Sequence, residues 1–521
     1  MLDIGATGLG LIDYAIFFAA LVAVLVVGVV SGGKIKDLED YATSRKQKFS
    51  TPVLAMTLIV TMIGSNSSMG SIAELYRDGI IYFLADLICI SGPFLLILYA
   101  AKFMAGRYSN AISLYGIVEQ EYGKWPAQFS AIISAFIMLI SLAMQMIGMG
   151  YIVKAFLGLP FSIGLIGVSV VLISYSSMGG VRGVVYTDVM QFFIILVVFP
   201  ILVGIIVYNM GGLKMVFTNL PPEKTMVFSH PDFKEYTYLI LFWMMPFGLL
   251  RATVIQRFLM CKDAKEVQKM GLNWVMFESV FIGMIGIIGL ASISLLPSAL
   301  SGKEVIPALM KEFLPIGFKG VAITAFMAVI MSTADSALNA ATVLIAEIRM
   351  SKTKREELES KEFKMEMEGS LDKIKQKEKQ RQEVLNLKIS SFTLGCIAMA
   401  IALLDFSFIR AITISSAIAF AAVNIPIFFA PFKDKKQKAI KAYLGSTIGG
   451  FGSFLVLWLI LGQGKMYMVS FYATFFAIAG WFIGANFFDK IKTNFWARMW
   501  EAYAPKGRPS SSELIKTTQG G

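Results

Sequence analysis

The ten residues from Met331 to Ala340 read MSTADSALNA and lie inside an otherwise apolar run from Phe318 to Ile348. On a helix, Ser332, Asp335, Ser336 and Asn339 stand at i, i+3, i+4 and i+7, which is one face, with Thr333 beside it. Hydroxyl and carboxylate oxygens suit a hard cation such as Na+. A carboxylate at membrane depth is costly unless it meets a cavity, a counter-charge or an ion, and no Lys or Arg stands in the same helix core to neutralise Asp335. The competing reading bonds the hydroxyls back to their own helix and keeps Asp335 protonated; a whole polar face argues against it. A second acid, Asp188 in YTDVMQ, begins another apolar helix. Two carboxylates in one low-dielectric region need a cation nearby to ionise together. Asp188 alone is equally a helix N-terminal charge favoured by the macrodipole.

Such a face must be carried by helices in a bilayer. The 521 residues are 56% hydrophobic and only 16% charged, with a mean hydropathy of +0.68, far from an ordinary soluble domain. Uninterrupted apolar runs of about 18–25 residues recur, each able to cross roughly 30 Å of hydrocarbon as a helix. Their continuity excludes a β-barrel, whose strands alternate. The sequence therefore predicts an all-α polytopic membrane protein of about 13 transmembrane helices, at 12–30, 52–79, 80–103, 126–157, 161–178, 186–208, 236–258, 272–296, 318–348, 387–404, 406–432, 439–461 and 466–488.

The formal charge of +12 does not call for a nucleic-acid partner, because the basic residues cluster in alternate loops. Lys34, Lys36, Arg45, Lys46 and Lys48 lie in one such loop, Lys102 and Arg107 in another, and Arg251, Arg257, Lys262 and Lys265 in a third. The segment 349–388 and the cluster Lys433, Lys435, Lys436 and Lys438 complete the pattern. By the positive-inside rule these loops are cytoplasmic, with the N-terminus outside and the C-terminus inside. Segment 349–388, rich in Lys and Glu, reads as a solvated amphipathic helix. Cys89, Cys261 and Cys396 form no pairing motif and read as free thiols, and a lone His230 offers no zinc site. The first apolar run lacks a basic n-region and reads as a retained helix. The pattern implies lipid as surroundings and fixes no oligomeric state.

Two spans are interrupted, by GSNSSMG at 64–70 and by Pro246, Phe247 and Gly248. With the first helix set aside, these are the first members of two successive five-helix blocks. Breaks at corresponding places are the pointer to a transporter of inverted repeats with its site at the unwound segments; glycines that merely permit close packing are the alternative. The division expected is an extra helix and loop over 1–51, a first repeat over 52–208, an outer loop over 209–235, a second repeat over 236–432, two further helices over 433–489, and a tail over 490–521.

Five stretches in order, LEDYATSRK, GSNSSMGSIAELYRDGI, SMGGVRGVVYTDVMQ, VIQRFLMCKDAKEV and MSTADSALNAATVLIAEI, make the chain resemble the sodium:solute symporter family, which includes sodium/glucose, proline and sialic acid symporters. The resemblance implies a five-plus-five inverted-repeat, LeuT-like core. It implies that the carbonyls of Val60, Ile63 and Val329 and the hydroxyls of Ser332 and Thr333 surround a sodium ion. It also implies a second cation or proton site at Asp188, Asp335 and Ser336, where one hydroxyl of the family pattern has become a carboxylate. By position, the solute would meet Gly64, Ser65, Ser67, Ser68, Asp86, Gln145, Trp243 and Phe247. Asp86 with aromatic neighbours suits either a hydroxyl-bearing solute or an ammonium group.

The expectation is a secondary active symporter in the plasma membrane, bacterial inner membrane by type, driving a small polar organic solute inward with sodium. Proton coupling and a non-transporting sensor with the same fold are the alternatives, and an enzyme ranks last because no nucleophile–base pair or cofactor loop is visible.

Overall fold

The computed structural model describes residues 8–485 except 33–34, 36, 45–48, 109, 299, 303, 362–369, 406–407, 433–438 and 463–464. The basic clusters at 45–48 and 433–438 and the tail 490–521 invoked above lie outside the described residues. Among the described residues all regular structure is helical. The principal helices are α1 Leu11–Gly32, α2 Thr51–Met62, α3 Ser71–Asp78, α4 Ile80–Cys89, α5 Ser91–Phe103, α6 Lys124–Leu157, α7 Phe161–Asn209 and α8 Phe233–Trp243. They continue with α9 Ala252–Met260, α10 Ala264–Leu295, α11 Phe318–Lys361, α12 Ser370–Ala402, α13 Phe408–Ala419, α14 Ile425–Phe429, α15 Ala439–Leu461 and α16 Met466–Gly484.

Among the described residues ten spans are long and apolar enough to cross a membrane, and Thr51–Met62 with Asn66–Asp78, bent by 59°, makes an eleventh. Two features separate this count from the thirteen expected. The runs 161–178 and 186–208 are two helices, as expected, that meet at a kink within the 49 residues of α7, and together they count as one span although a straight helix of that length, about 73 Å, would be more than twice the hydrocarbon thickness. Gly180, at φ 54° and ψ −162°, breaks α7 into two legs. The run 236–258 is divided into α8, a 3-10 turn at Pro246–Leu249 and α9, each too short to span alone. Pro246 supplies no N–H to the helix ladder, which explains the break. Both sequence interruptions are therefore real breaks in the helices.

Arg251 and Arg257 do not belong to a cytoplasmic loop, as their charge suggested. Arg251 stands at the start of α9, and Arg257, within α9, is wholly buried. A count of loop charges cannot separate a basic residue in the loop from one a turn or two inside the span. The segment 349–388 continues α11 to Lys361 and enters α12 from Ser370, so its described parts are helical.

The core is organised around α11, which packs against α1, α6 and α7 and is buried over nearly all of its membrane-depth length. A helix enclosed on every side belongs to the interior, where its polar residues must find partners within the protein. Small residues let the helices approach. A Cβ on Gly32 would lie 2.5 Å from Gly179 Cα, and one on Gly179 or Gly183 would lie 2.7 Å from the Gly28 carbonyl, so α1 and α7 meet backbone to backbone. The same device joins α15 and α16: a Cβ on Gly445 would lie 2.0 Å from the Gly480 carbonyl oxygen, and one on Gly484 2.1 Å from that of Lys441.

Gly180→Ala should lower the stability of the purified protein by about 1–3 kcal/mol, because its backbone conformation is one that only glycine adopts freely. Gly204→Ala, which meets open space in the same helix, should be neutral. Paired thermal melts in detergent check this.

Candidate functional site

The site begins where α2 stops. The last ladder bond runs from the Ile63 N–H to the Ile59 carbonyl at 3.2 Å, and Ile63 then turns extended at φ −92° and ψ 112°. The next two amides are taken elsewhere: Gly64 N–H donates to Ser67 Oγ at 2.9 Å and Ser65 N–H to Gln145 Oε1 of α6 at 2.8 Å. The carbonyls of Val60 and Thr61 thus lose their ordinary ladder donors. Orphan carbonyls carry the negative end of the helix dipole.

Side chains of α11 meet them. Ser332 Oγ lies 2.9 Å from the Val60 carbonyl and 3.0 Å from that of Val329. Thr333 Oγ1 lies 2.7 Å from the Ile63 carbonyl, 3.3 Å from that of Thr61 and 3.5 Å from that of Val60. A hydroxyl has one proton, so two hydroxyls cannot serve all these acceptors at once. Val60, Ile63, Val329, Ser332 and Thr333 come together as expected, and the Thr61 carbonyl joins them. Every member is a neutral oxygen, the donor set of a hard monovalent cation, and the unwound carbonyls are of the kind that coordinate sodium in broken-helix transporters. Gly64 is needed beside them: a Cβ there would lie 3.0 Å from Thr333 Oγ1 and 3.1 Å from Gln145 Oε1.

Adjoining this cage is a cavity of about 1250 Å³ that reaches Pro221, Glu223 and Lys224 on one side and Ser298, Leu300 and Gly302 on another. Gly64, Ser65, Ser67, Asp86, Gln145 and Trp243 line it, as expected. Ser68 does not. It is fully buried and donates to the Gly64 carbonyl at 2.7 Å, because the π-helical turn at Asn66–Gly70 rolls it into the protein. The Phe247 side chain lies outside the described residues. Arg251 and Glu278 also line the cavity and were not anticipated. The Arg251 guanidinium sits 5.4 Å from the Trp243 ring centroid and makes no hydrogen bond among the described residues. Glu278, an acid within the otherwise apolar stretch of α10, was the signal available in the sequence.

Asp188, Asp335 and Ser336 are fully buried in a second cluster below the first. The counter-charge absent from the helix of Asp335 arrives from α9. Arg257 Nη2 lies 3.5 Å from Asp188 Oδ2 and 2.8 Å from Ser336 Oγ, and Arg257 Nε donates to Thr57 Oγ1 at 3.1 Å. Thr57 in turn donates to Asp188. Asp335 Oδ2 accepts from the Tyr175 hydroxyl at 2.9 Å and Thr187 Oγ1 at 3.4 Å. Asp188 stands about two helical turns beyond the break at Gly180, too deep for a helix N-terminal role.

A profile of the sodium:solute symporter family matches residues 44–369. The chain is similar to the sodium/pantothenate symporter of Haemophilus influenzae, at 24% identity over 299 residues, covering 55% of this chain and 61% of that protein. It therefore spans about three fifths of that relative's length. It is 26% identical over 388 residues to the sodium/glucose cotransporter of Vibrio parahaemolyticus, covering 66% of this chain and 69% of that protein. Its fold is similar to that of a Na+-coupled sialic acid symporter solved in a substrate-bound outward-open state, with a TM-score of 0.71, 18% identity, and coverage of 92% of this chain and 98% of that one. The all-helical, LeuT-like architecture expected from the two broken helices is thus the fold of the chain.

Gln145→Ala should leave the Ser65 N–H without its acceptor and cost about 1–3 kcal/mol, whereas Gln145→Glu, which keeps an oxygen there, should melt closer to the parent protein. Thermal melts of the two variants compare them directly.

Proposed function

The chain belongs to the sodium:solute symporter family, and from that premise we propose that it is a secondary active symporter, coupling inward sodium movement to uptake of a small polar organic solute. The observation that carries this reading is the convergence of the Ser332 and Thr333 hydroxyls on the carbonyls of Val60, Thr61, Ile63 and Val329. Sodium bound there ties the broken end of α2 to α11. A cation that binds better when these two helices are together favours the conformation that joins them, and its loss favours the other. The same ion shapes the cavity, because Gly64, Ser65 and Ser67 follow directly on its carbonyl ligands. Sodium and solute therefore share one structural element, and each raises the affinity of the other.

The cavity wall narrows the solute. Arg251 offers guanidinium donors that make no hydrogen bond among the described residues, while Asp86 and Glu278 offer acceptors in the same space. A guanidinium suits a carboxylate, which it can hold through two parallel bonds, and the acids suit hydroxyl or amino donors. Pantothenate and sialic acid, for which two of the similar proteins are named, are carboxylic acids with hydroxyl groups. The solute class that fits is a polar organic acid bearing hydrogen-bond donors. With the basic loops cytoplasmic, the N-terminus lies outside a bacterial plasma membrane, the C-terminus inside, and the cavity faces outward.

The purified protein should melt higher in NaCl than in KCl at equal ionic strength. A ligand at about a hundred times its dissociation constant stabilises by roughly 2.7 kcal/mol. Thr333→Ala and Ser332→Ala should remove most of that sodium-specific rise while the proteins remain folded. An equal response to both salts would sink the sodium reading in favour of proton coupling. In sodium, pantothenate or sialic acid should add a further rise that Arg251→Gln loses without losing the sodium response. A neutral hexose acting equally on the parent and Arg251→Gln would count against an acidic solute.

A further inference from the structure

We infer that Arg182 marks a binding site for an anionic phospholipid, at the face of the membrane where α2 and the second leg of α7 begin. The site is separate from the sodium cage and from the cavity. Gly180 sets its place. A Cβ there would lie 3.1 Å from Tyr41 Cδ2 and 3.2 Å from Ile35 Cδ1, in the loop that follows α1. Arg182 stands two residues further on, in the first turn of the second leg, at the face that the positive-inside rule makes cytoplasmic. A base in the first turn opposes the helix dipole, so the helix itself gives no reason for an arginine there.

No carboxylate of the protein answers its charge either. Arg77 pairs with Glu74 and Asp78, Arg107 with Glu121, and Arg257 with Asp188. Arg182 makes no hydrogen bond or ion pair among the described residues. Its Nε is enclosed without an acceptor, while its two Nη groups reach the surface of a half-buried side chain. The single acid of that leg, Asp188, lies on the opposite side of the helix. The Arg182 guanidinium sits 5.9 Å from the Tyr186 ring centroid. Tyr186 in turn meets Phe49, the residue before the cap of α2, edge to face at 6.3 Å. Tyr186, Phe193 and Val197 follow Arg182 at i+4, i+11 and i+15, which is one face, and each is exposed. This face joins a fixed cation at the interface to an apolar strip that runs into the bilayer. A phospholipid matches both: an arginine fork holds a phosphate through two parallel bonds, and acyl chains lie along the strip. A soluble anion would use the guanidinium alone, and a zwitterionic lipid would bring an ammonium group toward it. A lipid seated against Tyr186 and Phe49 fastens the start of α2 to α7.

Thermal melts of the purified full-length protein in detergent, titrated with phosphatidylglycerol, test this. The parent should rise along a saturating curve that phosphatidylcholine and inorganic phosphate do not reproduce. Arg182→Gln should weaken the apparent affinity by about fivefold, the share of one basic residue at an anionic surface, and Arg182→Lys should lose less. Arg381→Gln, which removes an exposed base of α12, should leave the curve unchanged. Without added lipid all three variants should melt with the parent, which separates a lost site from a lost fold. An equal rise with phosphatidylcholine would overturn the inference by showing that the tails suffice, and one with inorganic phosphate would reduce the site to an adventitious ion only. An unchanged curve for Arg182→Gln, or an equal loss in Arg381→Gln, would overturn it too. The sodium-specific response of the parent is read in lipid-free detergent, so failure here leaves the symport reading standing.

Discussion

A carbonyl oxygen that has lost its N–H partner in a low-dielectric interior must find another positive charge or proton. The end of α2 creates several such oxygens at once, and the surrounding structure answers to them. Gly64 keeps a side chain out of their space, Ser67 and Gln145 take the amides that would otherwise reclaim the ladder, and α11 brings two hydroxyls that cannot satisfy all of them. The deficit is small enough to leave the helix intact up to Met62. It is also large enough to make a cation a welcome occupant. Stability and ion binding are thus two readings of one unsatisfied set of oxygens.

The second broken helix follows the opposite logic. Where α2 ends on free acceptors, α9 begins just beyond its break with Arg251 and carries Arg257 further down. One arginine faces the cavity, stacked on Trp243, and the other is enclosed among Thr57, Asp188 and Ser336. The chain therefore sets free carbonyl acceptors on one broken helix against fixed cations on the other. Electrostatic complementarity between the two breaks, rather than apolar packing alone, holds the middle of the protein together.

Much of this was legible because it is written in local pattern. The polar face of MSTADSALNA marked the buried centre of α11, and GSNSSMG and Pro246–Phe247–Gly248 marked the breaks, since glycine, serine and proline disturb a helix whatever surrounds them. What escaped was set by tertiary geometry. Arg251 and Arg257 looked like loop charges because sequence distance from the span end does not reveal burial. Ser68 looked like its neighbours Ser65 and Ser67, yet a π-helical turn rotates it away from the cavity. The two legs of α7 were separable in hydropathy, but not the fact that a single glycine joins them.

The glycine seam between α15 and α16 bears on how the protein is built. Membrane helices enter the bilayer as separate stable units and associate afterwards, and synthesis delivers the N-terminal segments first. These two helices touch along their backbones through Gly445, Gly480 and Gly484, the close approach by which membrane helices pair. The finished hairpin then docks through Trp481, whose indole N–H donates to the Tyr122 hydroxyl at 3.1 Å, while that hydroxyl donates to the Pro426 carbonyl at 2.6 Å. Pro426 supplies no N–H to the preceding turn, whose Ala422 and Ala421 carbonyls accept instead from Ser130 Oγ at 3.2 Å and from Ser446 Oγ of α15 at 2.9 Å, in a stretch where α13 gives way to a π-helical turn. A segment made after the helices it meets therefore arrives as a clasp, and its docking brings Ser446 to a carbonyl that the proline-broken turn could not serve from its own backbone.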